Sequence, residues 1–148
     1  MILWTWPGSW DLRGVGQEAR SPGLRAHELW KTTCFEAFLS GRDGESYHEI
    51  NLAPDGRWNV YFFDRYRNPQ PPREAIGWRL AQFECAPGLL RATLELPEAV
   101  LSSPTRFGLT AVLETQNPRG APSLSYWALV HAGDQPDFHD ARSWTGLT

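Results

Sequence analysis

Hydrophobic and polar residues alternate along several short segments of the chain, and this two-residue period is typical of half-buried β-strands. Eight segments follow the pattern and predict strands over residues 2–6, 33–40, 46–52, 57–64, 78–84, 89–96, 107–114 and 124–131. Turn-forming residues separate several of them, at 53–56, 86–88 and 117–120. The stretch 97–101 predicts at most one helical turn between strands. This spacing predicts a single all-β domain, a β-sandwich.

The alternation also assigns side chains to the two faces of each strand. In 89–96 leucine and alanine side chains alternate with polar ones, which is typical of a half-buried strand that serves as scaffold. The segment 33–40 carries bulky apolar residues on both faces, which predicts a central strand and a semi-buried setting for Glu36. Two other strands present a polar and aromatic face, formed by Tyr47, Glu49 and Asn51 in one and by Ser125, Trp127, Leu129 and His131 in the other.

Composition and charge narrow the range of partners. The chain has 148 residues, enough for one domain, and a net charge of −3 without a run of basic residues, so we expect no nucleic-acid partner. No apolar stretch approaches the ~20 residues of a membrane-spanning helix, and no signal peptide is evident. We therefore expect no membrane partner and a cytoplasmic location. Eight tryptophans are more than a core of this size readily accommodates, so we expect some of them to be exposed and functional.

Cysteine and carboxylate spacing gives little support for a cofactor. Cys34 and Cys85 are expected to be free thiols, since Cys34 lies between apolar neighbours and no CxxC or Cys/His zinc spacing exists. The segment 133–140 contains three carboxylates and His139, which suits calcium or a softer metal. It is also explained by an ordinary turn in which Asp137 accepts hydrogen bonds from neighbouring backbone N–H groups, with His139 closing a ligand rim. We expect no cofactor and no metal.

Four blocks of sequence, in this order, resemble bacterial DOMON-like proteins related to family 9 carbohydrate-binding modules. They cover 29–39, 47–58, 63–67 and the paired stretches 126–131 and 135–139. The resemblance implies one DOMON-like domain over residues 1–148, an immunoglobulin-like or jelly-roll β-sandwich with a ligand site on a concave face or rim. It also implies that N-terminal strand material is missing here, because such proteins usually have further sequence before the equivalent of residues 1–12.

A missing strand would leave a sheet edge near the N-terminus. Unpaired edges tend to be covered, so we expect either a partner chain or a second copy at this edge, or else Trp4 and Trp6 folding back over it. An interaction or oligomerisation domain is therefore one alternative for the function.

The candidate site follows from the chemistry of sugars, which offer an apolar C–H face and a rim of hydroxyls. Trp30 precedes Glu36 by six residues, and family 9 modules carry a stacking tryptophan and a carboxylate in the same order. Trp127 is the candidate second ring. The predicted function is non-catalytic binding of a sugar or similar polyhydroxylated small molecule, with polar contacts from Glu36, Glu49, Asn51, Arg67 and His131. A purely structural alternative has both tryptophans closing the ends of the sandwich and Glu36 paired with Arg67.

Two further alternatives concern haem and catalysis. Haem, which some DOMON domains bind, needs axial ligands in an apolar crevice, and the available imidazoles are those of His48, His131 and His139. A glycosidase needs two carboxyl groups ~5–9.5 Å apart, a role that Glu36 and Glu49 on neighbouring strands would fill. The chain has no nucleophile elbow, phosphate loop or Ser/His/Asp order, so we expect binding without catalysis.

Overall fold

The computed structural model describes residues 2–5, 20–86, 88–101, 106–117 and 119–146. Within these ranges the protein is all-β, with one short helix, α1 (Glu98–Leu101), and two 3-10 turns, Leu29–Lys31 and Ala141–Ser143. The strands are β1 (Ile2–Thr5), β2 (Cys34–Ser40), β3 (Tyr47–Leu52), β4 (Trp58–Phe63), β5 (Arg73–Glu74), β6 (Arg79–Ala86), β7 (Leu89–Glu95), β8 (Arg106–Gln116), β9 (Pro122–Ala128) and β10 (Thr145–Gly146).

The strands form two antiparallel sheets. The small sheet has the order β1-β7-β6, and the large sheet has the order β10-β8-β2-β3-β4-β5, with β9 also paired to β8. Strand β2 is therefore central, hydrogen-bonded to β3 on one side and to β8 on the other, as its two apolar faces predict.

One face of the large sheet packs on the small sheet and forms the main core. Phe35 of β2 and Ile50 of β3 are at most 2% exposed, and they belong to the same apolar cluster as Leu90 and Leu94 of β7. Burial of such side chains stabilises the fold by roughly 1.5–3 kcal/mol each. The result is a β-sandwich, the fold that the strand spacing predicts.

The opposite face of the large sheet carries a second, more aromatic cluster. The rings of Tyr47 and Phe63 stack at 4.8 Å, and those of Phe38 and Trp144 at 5.7 Å. Trp144 lies so close to β8 that a Cβ at Gly108 would be 2.6 Å from its Cδ1 atom, which explains the glycine there. These rings anchor the C-terminal segment across the sheet.

All eight predicted strands are present among the described residues, with two differences. The strand predicted over 124–131 runs instead from Pro122 to Ala128, and β5 and β10 have only two residues each, too few for an alternating pattern. The turn at 53–56 is confirmed by the hydrogen bond from the Gly56 N–H to the Ala53 carbonyl (3.0 Å). The single helical turn is confirmed as α1.

Other expectations have mixed outcomes. Cys34 and Cys85 are both free and buried, as predicted. Strand β1 pairs with β7 and forms the edge of the small sheet, whereas Trp6 lies outside the described residues. No helix in the described ranges is long and apolar enough to cross a membrane.

Candidate functional site

A cavity of about 280 Å³ lies on the aromatic face of the large sheet, away from the small sheet. Strands β2, β3, β4, β8 and β9 form its floor. The first 3-10 turn, the loop after β4 and the segment before the second 3-10 turn form its walls. The lining residues combine rings with planar polar groups: Trp30, Glu36, Glu49, Phe63, Arg67, Gln70, Pro72, Val112, Tyr126, Pro136, Phe138 and His139.

Glu36 lies at the centre of the floor and is 3% exposed. Its cross-strand partners are Asn51 on β3 and Thr110 on β8, so all three side chains lie on one face. The Thr110 hydroxyl donates to Glu36 Oε2 at 3.1 Å. Burial and the nearby charge of Glu49 raise the pKa of Glu36 to about 8, because both disfavour the ionised carboxylate.

Glu49 is the diagonal neighbour of Glu36 on β3 and is 5% exposed. The Asn51 amide donates to Glu49 Oε1 at 2.8 Å, and Asn51 Oδ1 in turn accepts from the Cys34 thiol at 3.3 Å. Burial raises the pKa of Glu49 to about 7, although the bond from Asn51 and the charge of Arg67 oppose the rise. Two carboxyl groups whose pKa values lie near neutrality thus share one poorly solvated cavity.

Hydrogen bonds join the Arg67 backbone, Tyr47 and His139 beside Glu49. The Arg67 backbone N–H donates to the Tyr47 hydroxyl at 3.0 Å, and that hydroxyl lies 2.7 Å from His139 Nδ1. With Tyr47 as donor, His139 carries its proton on Nε2, the atom 3.6 Å from Glu49 Oε2. Burial, reinforced by the charge of Arg67, lowers the pKa of His139 to about 4, so the imidazole is neutral at pH 7.

The guanidinium of Arg67 lies at the rim and is held by a carboxylate. Its Nη2 donates to Asp137 Oδ1 at 2.9 Å and its Nε to the Tyr66 hydroxyl at 3.2 Å, while Tyr66 donates to Asp137 Oδ2 at 2.7 Å. The alternative pairing of Arg67 with Glu36 is therefore wrong. Asp137 also accepts from the His139 backbone N–H at 3.2 Å, which confirms the turn predicted there.

Aromatic side chains form much of the wall. Trp30 is the middle residue of the 3-10 turn before β2. Its ring packs edge-on against that of Tyr61, with ring centroids 5.7 Å apart. Tyr126 of β9 and Phe138 are 6.1 Å apart at an interplanar angle of 60°. Tyr126 is 44% exposed, so its ring forms part of the wall and remains accessible to a ligand.

Four of the seven predicted site residues line the cavity together: Trp30, Glu36, Glu49 and Arg67. Asn51 is fully buried behind them and supports Glu49, so it positions a carboxyl group rather than lining the rim. His131 is exposed outside the lining, with its ring 6.4 Å from that of Phe138.

The predicted clamp between Trp30 and Trp127 is wrong. Trp127 is the cross-strand partner of Ala111, which belongs to the core between the two sheets, whereas Tyr126 is the partner of Val112, which lines the cavity. Side chains alternate along a strand, so Trp127 points away from the cavity and its neighbour takes the place predicted for it.

The sequence interpretation also missed Phe63, Gln70 and Phe138. Only the alternation along 57–64 gave a signal for Phe63, since it shares a face with Tyr61. Gln70 and Phe138 lie in loops that carry no periodic signal. His139 lines the cavity, as one of the two explanations for its segment predicts.

The described residues do not favour binding of a metal ion or of haem at the cavity. The described ranges contain no group of three or more His, Cys, Asp or Glu residues that would hold a metal ion. His139 is the imidazole that lines the cavity, and its two nitrogens face Tyr47 and Glu49 rather than an apolar crevice. This environment does not fit an axial haem ligand.

Comparison of the chain with protein-family models, with curated proteins and with solved structures finds no match. The resemblance to DOMON-like proteins stays a prediction.

Proposed function

We propose that the cavity binds a single sugar ring or a similar polyhydroxylated small molecule and that the domain acts as a binding module. One observation carries the proposal: accessible aromatic rings and two buried carboxyl groups line the same cavity of about 280 Å³. A sugar needs this combination, since its C–H face packs on rings and its hydroxyls need planar polar partners.

The polar groups suit hydroxyls because they offer both donors and acceptors. A protonated carboxyl group donates through its O–H and accepts through its carbonyl oxygen, whereas an ionised one only accepts. The raised pKa values of Glu36 and Glu49 place both forms within reach at neutral pH. Gln70 adds an amide at the wall, and Trp30 and Tyr126 supply rings for the apolar face.

The size of the cavity favours a small ligand over a long glycan. Ligand pockets usually measure about 300–1,000 Å³, and this one, at about 280 Å³, is slightly smaller. Few contacts are available to offset the cost of desolvating hydroxyls and of ordering the ligand, so we expect modest affinity.

Glycoside hydrolysis is a second candidate, favoured by the placement of the carboxyl groups. Glu36 and Glu49 are diagonal neighbours on adjacent strands, and both line the cavity. Glycosidases use a pair of carboxyl groups of this kind, and a raised pKa keeps one of them protonated as the acid. Hydrolysis of a glycoside panel that Glu36→Gln and Glu49→Gln each abolish would establish catalysis in place of simple binding.

Two adjacent residues of β9 provide a matched test of the binding proposal. Tyr126 and Trp127 are both 44% exposed but lie on opposite faces of the large sheet. In calorimetric titrations with a panel of monosaccharides, Tyr126→Ala should weaken binding about tenfold, the equivalent of one lost ring contact. Trp127→Ala should bind like the wild type. Loss of binding in Trp127→Ala alone, or no binding by any sugar of the panel, would refute the proposal.

A further inference from the structure

The charges around the cavity are unbalanced. Arg67 is the lining residue with a cationic side chain, and Asp137 already neutralises it through a 2.9 Å contact. His139 is neutral at pH 7 because burial disfavours its charged form. Within the described ranges Glu36 and Glu49 therefore have no cationic partner of their own, and the charge of Arg67 only partly offsets their burial. A buried, unpaired carboxylate is costly, so both groups hold protons near neutral pH, and a ligand that brings a positive charge would favour their ionised forms.

The hydrogen bonds to the two carboxyl groups are incomplete. Within the described ranges, Glu36 accepts one bond, from Thr110 to Oε2, and Glu49 accepts one bond, from Asn51 to Oε1. A carboxylate has about four lone-pair sites, so both groups retain acceptor capacity. Both also line the cavity. An ammonium group, which carries three donors, has the geometry to reach two neighbouring acceptors at once.

The aromatic wall suits the same charge. The faces of Trp, Tyr and Phe rings attract cations, with Trp the strongest, when the cation lies within about 6 Å of the ring centroid. Trp30, Tyr126 and Phe138 surround a cavity whose floor is acidic. Rings and carboxyl groups thus favour one kind of ligand, which is apolar on one face, hydroxylated at the rim and positively charged at one position.

We infer that the ligand of this cavity is an amino sugar or comparable amino polyol, with its protonated primary amine placed between Glu36 and Glu49. This inference rests on the proposed function and specifies its ligand class. The amine would donate to both carboxyl groups, and the remaining hydroxyls would contact Gln70 and the rim. A neutral sugar of the same shape would bring no charge to attract the ionised carboxylates, and an N-acetyl group would remove the charge and add bulk.

Matched sugar pairs test the inference at pH 7 by isothermal titration calorimetry. Glucosamine is compared with glucose and N-acetylglucosamine, and galactosamine with galactose. For at least one pair the amino sugar should bind about tenfold or more tightly than its neutral counterpart. Glu36→Gln and Glu49→Gln keep the shape of the side chains and should each remove most of this preference. Glu45→Gln changes an exposed carboxylate in the loop between β2 and β3 and serves as the matched control, with the preference unchanged.

The outcomes distinguish the inferred preference for amino sugars from the proposed binding of sugars in general. Neutral sugars that bind as tightly as their amino counterparts would overturn the inference and leave sugar binding intact. An amino-sugar preference that survives in both Glu36→Gln and Glu49→Gln would overturn it as well, because another part of the protein would then bind the ammonium group. Absence of binding by every member of the panel would overturn both. If one glutamine variant fails to fold, the other still decides the outcome.

Discussion

Replacing Glu36 with glutamine measures directly how much the buried carboxyl group costs the fold. Burial and the charge of Glu49 raise the pKa of Glu36 from 4.5 to about 8 in the folded protein, whereas the unfolded chain ionises at the ordinary value. Each pH unit between these two values corresponds to about 1.4 kcal/mol. At pH 7 the folded protein is therefore destabilised by about 3 kcal/mol relative to a chain with a neutral side chain at this position.

The direction of the pH dependence follows from the sign of the pKa change. The folded state holds its proton more tightly than the unfolded state, so the contribution to stability is complete below pH 4.5. It falls as the pH rises and is lost once the pH passes the folded pKa near 8. Glu49, with its pKa raised to about 7, acts in the same direction. The two carboxyl groups should thus lower the stability of the fold between pH 5 and pH 8. His48 and His139, whose pKa values burial lowers to about 4, act in the opposite direction below pH 6.5, so the effect of Glu36 is measured as the difference between Glu36→Gln and the wild type.

Urea denaturation followed by tryptophan fluorescence tests this expectation at pH 5, 6, 7 and 8. Glu36→Gln should lie within about 1 kcal/mol of the wild type at pH 5 and exceed it by about 3 kcal/mol in unfolding free energy at pH 7, so the difference between the two proteins should grow with pH. Glu45→Gln, at an exposed position, should follow the wild-type profile. If Glu36→Gln is less stable than the wild type at pH 8, or has the same pH profile, then Glu36 does not carry the buried proton and the reasoning fails.

Three further predictions concern the support of the cavity. The His139 ring should become protonated with a midpoint near pH 4, since burial lowers its pKa, as followed by the ring ¹⁵N signals that distinguish neutral from charged imidazole; protonation with a midpoint above pH 6 would contradict its buried setting. Phe38→Ala should reduce the unfolding free energy by about 3–5 kcal/mol, because this fully buried ring packs on Trp144; a loss under 1 kcal/mol would contradict the packing. Asn51→Ala should lower the unfolding free energy by about 1–3 kcal/mol and raise the pKa of Glu49 further, because the hydrogen bond to its carboxylate is lost. A lowered pKa of Glu49, measured by carboxyl NMR titration, would show that Asn51 does not support that carboxylate.

Local pattern was sufficient to predict the sandwich and the placement of the two carboxyl groups of the site. Alternation along β2 and β3 places Glu36 and Glu49 on one face of adjacent strands, because the period of a strand fixes which side chains share a face. Central position and burial of β2 followed from apolar residues on both of its faces. These features depend on neighbours in sequence, which is why a single sequence was enough.

The rest of the site depends on contacts between distant parts of the chain. In β9 the alternation separates Tyr126 from Trp127, but it does not show which set faces the small sheet, and the prediction of Trp127 followed from the resemblance to family 9 modules. Arg67 and Asp137 are 70 residues apart, so no local pattern shows that they pair. His131 lies beyond the end of β9, and the extended alternation predicted for it does not exist.

The claim that this cavity binds a sugar is tested most directly by the indole N–H region of a ¹H–¹⁵N correlation spectrum. Trp30 lines the cavity, whereas Trp127 points away from it on the other face of the large sheet. Each signal is assigned with Trp30→Phe and Trp127→Phe, and glucosamine and glucose are then added in turn. The Trp30 indole signal should shift in a saturable manner while that of Trp127 remains in place. A saturable shift of Trp127 with Trp30 unchanged, or no shift of either signal, would contradict sugar binding in this cavity.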